Sequence, residues 1–178
     1  MESLESAQKN MNISYSGGFA GIIISGIFWF ISGVTSFFLS AENVIWVLFF
    51  GGMFIHPISI VFNKLLGSSG VHDKENPLGK LAIEGTIWMI VCITIALLLS
   101  FQNPQWFFQA MLLIIGGRYL TFQTIYGNKV YYMLGIGLIF SGFSLFFLQV
   151  GVTISAFAGA IIELAIGSYF LINYRQTI

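Results

Sequence analysis

Six stretches of this chain, at 18–38, 44–62, 81–101, 105–126, 130–148 and 152–172, are almost wholly apolar. Each is close to the length that a helix needs to cross a hydrocarbon layer, about 20 residues at roughly 1.5 Å per residue. The runs are continuous rather than alternating, which argues against a sheet barrel. Only 8% of the 178 residues are charged. An ordinary soluble domain carries about 25%, so this chain has too few charges to cover a water-facing surface. The reading is an all-α polytopic membrane bundle of six transmembrane helices.

Short connections at 40–43, 102–104 and 149–151 pair these runs as three antiparallel hairpins: first with second, third with fourth, fifth with sixth. The basic residues orient them. Lys9 precedes the first run, and Lys64, Lys74 and Lys80 separate the second from the third. Lys129 separates the fourth from the fifth, and Arg175 follows the sixth. The three short connections contain neither Lys nor Arg, so the positive-inside rule places both termini in the cytoplasm, with the bundle in the inner (cytoplasmic) membrane of a cell. Trp46 and Trp106 fall near the outer boundary, and Tyr126, Tyr131, Tyr132 and Tyr174 near the inner one, as interfacial aromatic belts do. Residues 1–17 then form a short polar cytoplasmic segment without the cleavage pattern of a signal peptide. Residues 18–174 form a single transmembrane domain with a cytoplasmic loop near 63–80, and 175–178 a cytoplasmic tail.

Local signals fit this layout. Asn76-Pro77 and Asn103-Pro104 precede the third and fourth runs. In both pairs Asn can cap orphan backbone N–H groups, while Pro sits in the first turn where its missing N–H costs nothing. A faint internal repeat relates Phe38-Leu39-Ser40 and Gly51-Gly52 to Leu98-Leu99-Ser100 and Gly116-Gly117. Small residues mark faces for close helix contact, within the chain or in a homo-oligomer. The first run carries Gly18, Ser25 and Ser32 with Gly26 and Gly33; the fifth carries Gly135 and Gly142. In the sixth, Gly151, Ser155, Gly159, Glu163 and Gly167 recur every four residues, which sets Glu163 on a packed face.

Charges inside apolar runs are costly and are functional candidates by default. Glu84, Arg118 and Glu163 are the three here. His56 joins them through a polar stripe, Gly52, His56, Ser59 and Asn63, on a helix that Pro57 is expected to kink and Gly52 to loosen. At about 1.5 Å per residue, His56 and Arg118 each lie roughly 12 Å from the inner ends of their runs, with Glu84 shallow and Glu163 near mid-run. Because a guanidinium stays charged, Arg118 is expected to pair with Glu163, Glu84 or both. The candidate intramembrane polar site is therefore His56, Arg118, Glu163 and Glu84, with Gly52 and Pro57 at a helix kink. The bland alternatives are a structural ion pair that locks helices, and a proline helix whose polar groups bond nearby backbone.

Other chemistry finds little support. The single Cys92 lies mid-run and allows no thiolate cluster. His72-Asp73 in a Gly- and Ser-rich loop is weak evidence for a metal. No nucleotide, zincin or serine-hydrolase motif is present, so neither an enzyme nor a cofactor is expected. Zero net charge excludes a basic nucleic-acid surface.

At Gly51-Gly52-Met53-Phe54-Ile55-His56-Pro57, followed by Asn76-Pro77-Leu78-Gly79-Lys80, the chain resembles a family of small uncharacterised bacterial multi-pass membrane proteins. That resemblance implies an inner-membrane helical protein and brings no activity with it. The hairpin layout is also similar in architecture to acid-resistance membrane proteins of enteric bacteria. Two functions are expected. One is a small transporter or channel-like protein for a proton, ion or small polar solute; the other is a non-catalytic scaffold, stress-related or accessory subunit whose buried charges are structural. The partners expected are the bilayer and further copies of the chain.

Overall fold

The computed structural model describes residues 3–175, with side chains through Asn173. Most of the expected tail, and the Tyr174 and Arg175 side chains, lie outside that description. Among the described residues seven α-helices follow one another: α1 (Leu4–Tyr15), α2 (Phe19–Thr35), α3 (Ala41–Leu65), α4 (Pro77–Ser100), α5 (Pro104–Tyr126), α6 (Val130–Phe147) and α7 (Val152–Arg175). No strand occurs among the described residues. Helices α2 to α7 occupy the six apolar runs. Asn76 Oδ1 accepts from Leu78 N at 2.9 Å and Asn103 Oδ1 from Gln105 N at 3.3 Å, so both Asn-Pro pairs start helices as their chemistry dictates.

Five helical segments among the described residues are long and apolar enough to cross a membrane: 4–35, α3, α4, α6 and α7 to Asn173. Helix α5 is long enough but carries Gln105, Gln109, Arg118 and Gln123, which dilute its apolarity. Its position explains how that is tolerated. It touches α1, α3, α4, α6 and α7, so much of its surface meets protein rather than lipid.

The tightest pairings are α5 with α6 and α2 with α7, followed by α2 with α3 and α4 with α5. The third expected hairpin is thus not a packing unit; α7 lies mainly on α2 and only lightly on α6. Glycine explains both tight pairs. A Cβ at Gly116 would come 2.8 Å from the Gly135 carbonyl oxygen, and one at Gly142 would come 2.9 Å from that of Gln109, so α5 and α6 meet backbone to backbone. Between α2 and α7, a Cβ at Gly26 would strike Leu164 at 2.8 Å, one at Gly159 would strike Trp29 at 2.6 Å, and one at Gly167 would strike Ile23 at 2.7 Å.

Residues 1–17 were expected only as a polar segment. Instead α1 is a capped amphipathic helix, with Ser3 Oγ accepting from Ser6 N and Ala7 and Met11 buried against Leu78 and Ile125. Ser16, Gly17 and Gly18 all adopt the left-handed region (φ 53°, 63° and 81°). Two glycines there are what let the chain reverse so abruptly. The return fastens α1 across one end of the bundle. Gln8 donates to the Thr124 carbonyl at 2.8 Å, Asn12 to that of Tyr126 at 2.8 Å, and Asn76 to that of Ala7 at 2.9 Å. Tyr15 Oη and His72 Nδ1 are 2.8 Å apart, and the Tyr131 hydroxyl donates to the Gly17 carbonyl at 2.6 Å. Such bonds contribute about 0.5–1.5 kcal/mol each. The opposite end has tight turns, held by Ser36 donating to Thr153 and Gln109 donating to the Val150 and Leu145 carbonyls.

Candidate functional site

Glu163 lies midway along α7, on the stripe that includes Ser155, Gly159 and Gly167. Its side chain is 0% exposed, enclosed by α2 and α5. Successive contacts of Ile23 with Gly167, Gly26 with Leu164, Trp29 with Gly159, Gly33 with Phe157 and Ser36 with Thr153 fix the α2–α7 register. That register puts Ser25 opposite Glu163. The polar neighbours of the carboxyl are the hydroxyls of Ser25 on α2 and Tyr119 on α5. Both hydroxyls are placed to interact with the carboxyl, although neither meets full hydrogen-bond geometry with its oxygens. Two further buried groups on the same contact are also unsatisfied: Trp29 Nε1 and Ser155 Oγ. Unpaired buried polar atoms are rare in native folds, and several on one helix contact call for an explanation.

On the α1 side the surroundings are aromatic. Tyr131 stacks between Tyr119 and Tyr126 at ring-centroid distances of 6.2 Å and 5.5 Å and meets Phe170 at 5.2 Å. Phe19 and Ile22 complete that seal and are fully buried.

Arg118 takes another direction. It follows Gly117 and precedes Tyr119, and neighbouring side chains diverge by about 100° around a helix. With Tyr119 turned to Glu163, Arg118 points at α4. Its Nη2 donates to Thr86 Oγ1 at 2.8 Å, and Thr86 in turn donates to the Ala82 carbonyl at 2.8 Å. The guanidinium carbon stands 5.2 Å from the centre of the Phe122 ring, and Nη1 is buried without a partner beside Gly85. The expected pairing with Glu163 or Glu84 is therefore corrected. Among the described residues Arg118 meets a hydroxyl and a ring, not a carboxylate. Glu84 precedes Thr86 by two positions, which puts it on the far side of α4, where it is exposed.

His56 does not join the others either. Gly52, His56 and Pro57 are exposed on the outside of α3, and only Ser59 and Asn63 of the expected stripe are buried. Helix α3 runs unbroken through Pro57, and Ser59 Oγ donates to the His56 carbonyl at 2.7 Å. The estimated shared depth of His56 and Arg118 was a matter of height along the bundle. It said nothing about which way each side chain turns.

The site that remains is thus Glu163 with Ser25, Tyr119, Trp29 and Ser155. The last four were missed as members, although Ser25 and Ser155 stood on faces marked as packed. An apolar cleft of about 240 Å³ between α4, α5 and α6 includes Trp106, Leu113 and Phe143 in its walls but not Glu163. No group of three or more His, Cys, Asp or Glu side chains suited to a metal occurs among the described residues.

Among the described residues the protein is all-helical, with five helical segments long and apolar enough to cross a membrane. Residues 4–173 match the model described as "Family of unknown function (DUF7010)", and the chain belongs to that family. No curated protein and no solved structure matches it.

Proposed function

We propose that the chain crosses a bilayer six times, by α2 to α7, and that it is a small transporter or channel-like protein which binds and releases a proton at Glu163. The observation that carries this reading is the complete enclosure of a carboxyl, midway along a membrane-length helix, with only the Ser25 and Tyr119 hydroxyls beside it and no cation. A carboxylate in such a place has only two hydroxyls to offset its lost hydration, less than its charge needs, so the neutral form is favoured. The described surroundings hold no cation that touches it, and the two hydroxyls nearby are too few to coordinate a metal ion. A proton is the neutralising group that needs no further ligands. Lys9, Lys64, Lys74, Lys80 and Lys129 gather at the end carrying α1, which supports placing that end in the cytoplasm.

The test is proton uptake into proteoliposomes that enclose a pH-sensitive dye, driven by an imposed membrane potential. The wild type is expected to exceed empty vesicles by at least about tenfold, and Glu163→Gln to fall to the empty-vesicle rate. Gln keeps the shape but cannot exchange a proton. A Glu163→Gln protein that elutes normally and takes up protons at the wild-type rate rejects the proposal.

A further inference from the structure

We infer that protons reach Glu163 from the end opposite α1, along the seam between α2 and α7. The inference rests on the proton reading of Glu163 and adds a direction to it. Starting at Glu163, polar groups recur at each level of that seam toward the opposite end: Trp29 Nε1, then Ser155 and Ser32, then the Ser36–Thr153 pair. From Glu163 to Thr153 is ten residues, about 15 Å along α7, and Thr153 is the second residue of the helix. The seam therefore runs from mid-bundle to the bundle's end.

Its polar atoms are unevenly satisfied. Ser32 donates to the Phe28 carbonyl at 2.8 Å and Ser36 to Thr153 at 2.8 Å. Trp29 Nε1 and Ser155 Oγ, each on a fully buried residue, have no partner in the closed packing. One donor and one hydroxyl left bare between a buried carboxyl and the nearer helix end are what a file of transient waters would satisfy. Gly159 keeps that stretch thin, since its Cα lies directly against the Trp29 ring.

Toward α1 the α2–α7 seam is instead lined by apolar and aromatic groups; the buried Asn63, whose Oδ1 also lacks a partner, lies on α3. Beyond Tyr119, the next buried groups are Ile22, Phe19, Phe170 and Tyr131, and the Tyr131 hydroxyl is committed to the Gly17 carbonyl. Among the described residues, Tyr119 is the titratable side chain that faces Glu163 from the helices packed around it. The proton arrives as hydronium at the Ser36–Thr153 mouth and is passed along the waters of the seam. An O–H bond of the last water breaks as one forms on the Glu163 carboxylate, leaving neutral water, and release is the reverse transfer to water.

Cysteine accessibility tests the route. In full-length protein with Cys92→Ser, a charged, membrane-impermeant thiol reagent is applied to one face of the membrane at a time. Ser40→Cys reports the opposite end and Ser69→Cys the α1 end; both positions are exposed. Ile154→Cys is the control, one residue from Ser155 but 61% exposed on the outside of α7. Ser155→Cys is expected to react at least about tenfold faster than Ile154→Cys, and only from the face that labels Ser40→Cys. Ser32→Cys serves in the same way should Ser155→Cys fail to assemble. Equal rates at 155 and 154, or labelling from the Ser69 face, overturns the route. Loss of proton uptake in Glu163→Gln together with an inert Ser155→Cys overturns the route alone and leaves the carboxyl site standing. Uptake indifferent to Glu163→Gln removes the site and the route with it.

Discussion

Glu163 and Arg118 are both ionisable groups in the middle of apolar helices, yet the fold treats them in opposite ways. Glu163 is enclosed by three helices on a glycine-lined contact, with two hydroxyls and no cation beside it. Arg118 is half-buried at the α4–α5 edge, with a hydroxyl under one nitrogen and an aromatic ring beside its carbon. The difference follows from their chemistry. A carboxyl can shed its charge by taking a proton, so it survives complete enclosure; a guanidinium cannot, and stays where its stem can lead the charge toward polar surroundings. Enclosure is affordable only for the group that can be switched off. The interior of α2, α5 and α7 is thus the part of the molecule where a change of protonation has structural consequences.

The sharpest way to break this contrast is to open the enclosed side. Gly159→Leu sets a branched side chain where even a Cβ comes 2.6 Å from Trp29. Overpacking of this kind costs about 1–3 kcal/mol or more, and α2–α7 association is expected to fail, read as loss of the monodisperse peak in detergent. A smaller effect of opposite sign is expected from Glu163→Met. It replaces an unsatisfied carboxyl with an apolar chain of similar volume, so the melting temperature should rise, by the equivalent of about 1 kcal/mol or more, while proton uptake is lost. A fall in stability would mean that the carboxyl has partners it keeps. Arg118→Met, at the edge, should change stability by under about 1 kcal/mol, because Thr86 retains its bond to Ala82 and the orphaned Nη1 disappears. A loss comparable with Gly159→Leu would show that Arg118 is as integral as Glu163. The smallest effect belongs to His56→Ala on the outside of α3, within about 0.5 kcal/mol by thermal unfolding, since Ser59 bonds the backbone carbonyl and not the imidazole.

Much of the scaffold could be read from local rules. Length and apolarity marked the positions of α2 to α7, and the Asn-Pro pairs marked two helix starts. Glycine spacing picked out the faces of α2, α6 and α7 that pack. The same spacing put Glu163 inward, because residues four apart share one side of a helix whatever it packs against. Helix α1 was legible but overlooked: Ser3 is a cap, and Leu4, Ala7, Met11 and Tyr15 repeat at helical spacing in an otherwise polar segment. The hairpin partners were less legible. Short turns make α6 and α7 neighbours in the chain, but close packing went to the helix whose small residues matched, and for α7 that was α2.

What the sequence by itself determined, then, is the set of elements and the inward side of each, since both depend on residues within a few positions of one another. Only the tertiary structure decided which inward sides meet. Helical height along the bundle placed His56 beside Arg118 on paper, while the direction each side chain takes around its own helix separated them, one toward the outside and one toward α4. The same angular rule turned Tyr119 to Glu163 and Arg118 away from it. A charge's partner is fixed by the rotation and register of two helices against each other, and those follow from the packing of the whole bundle.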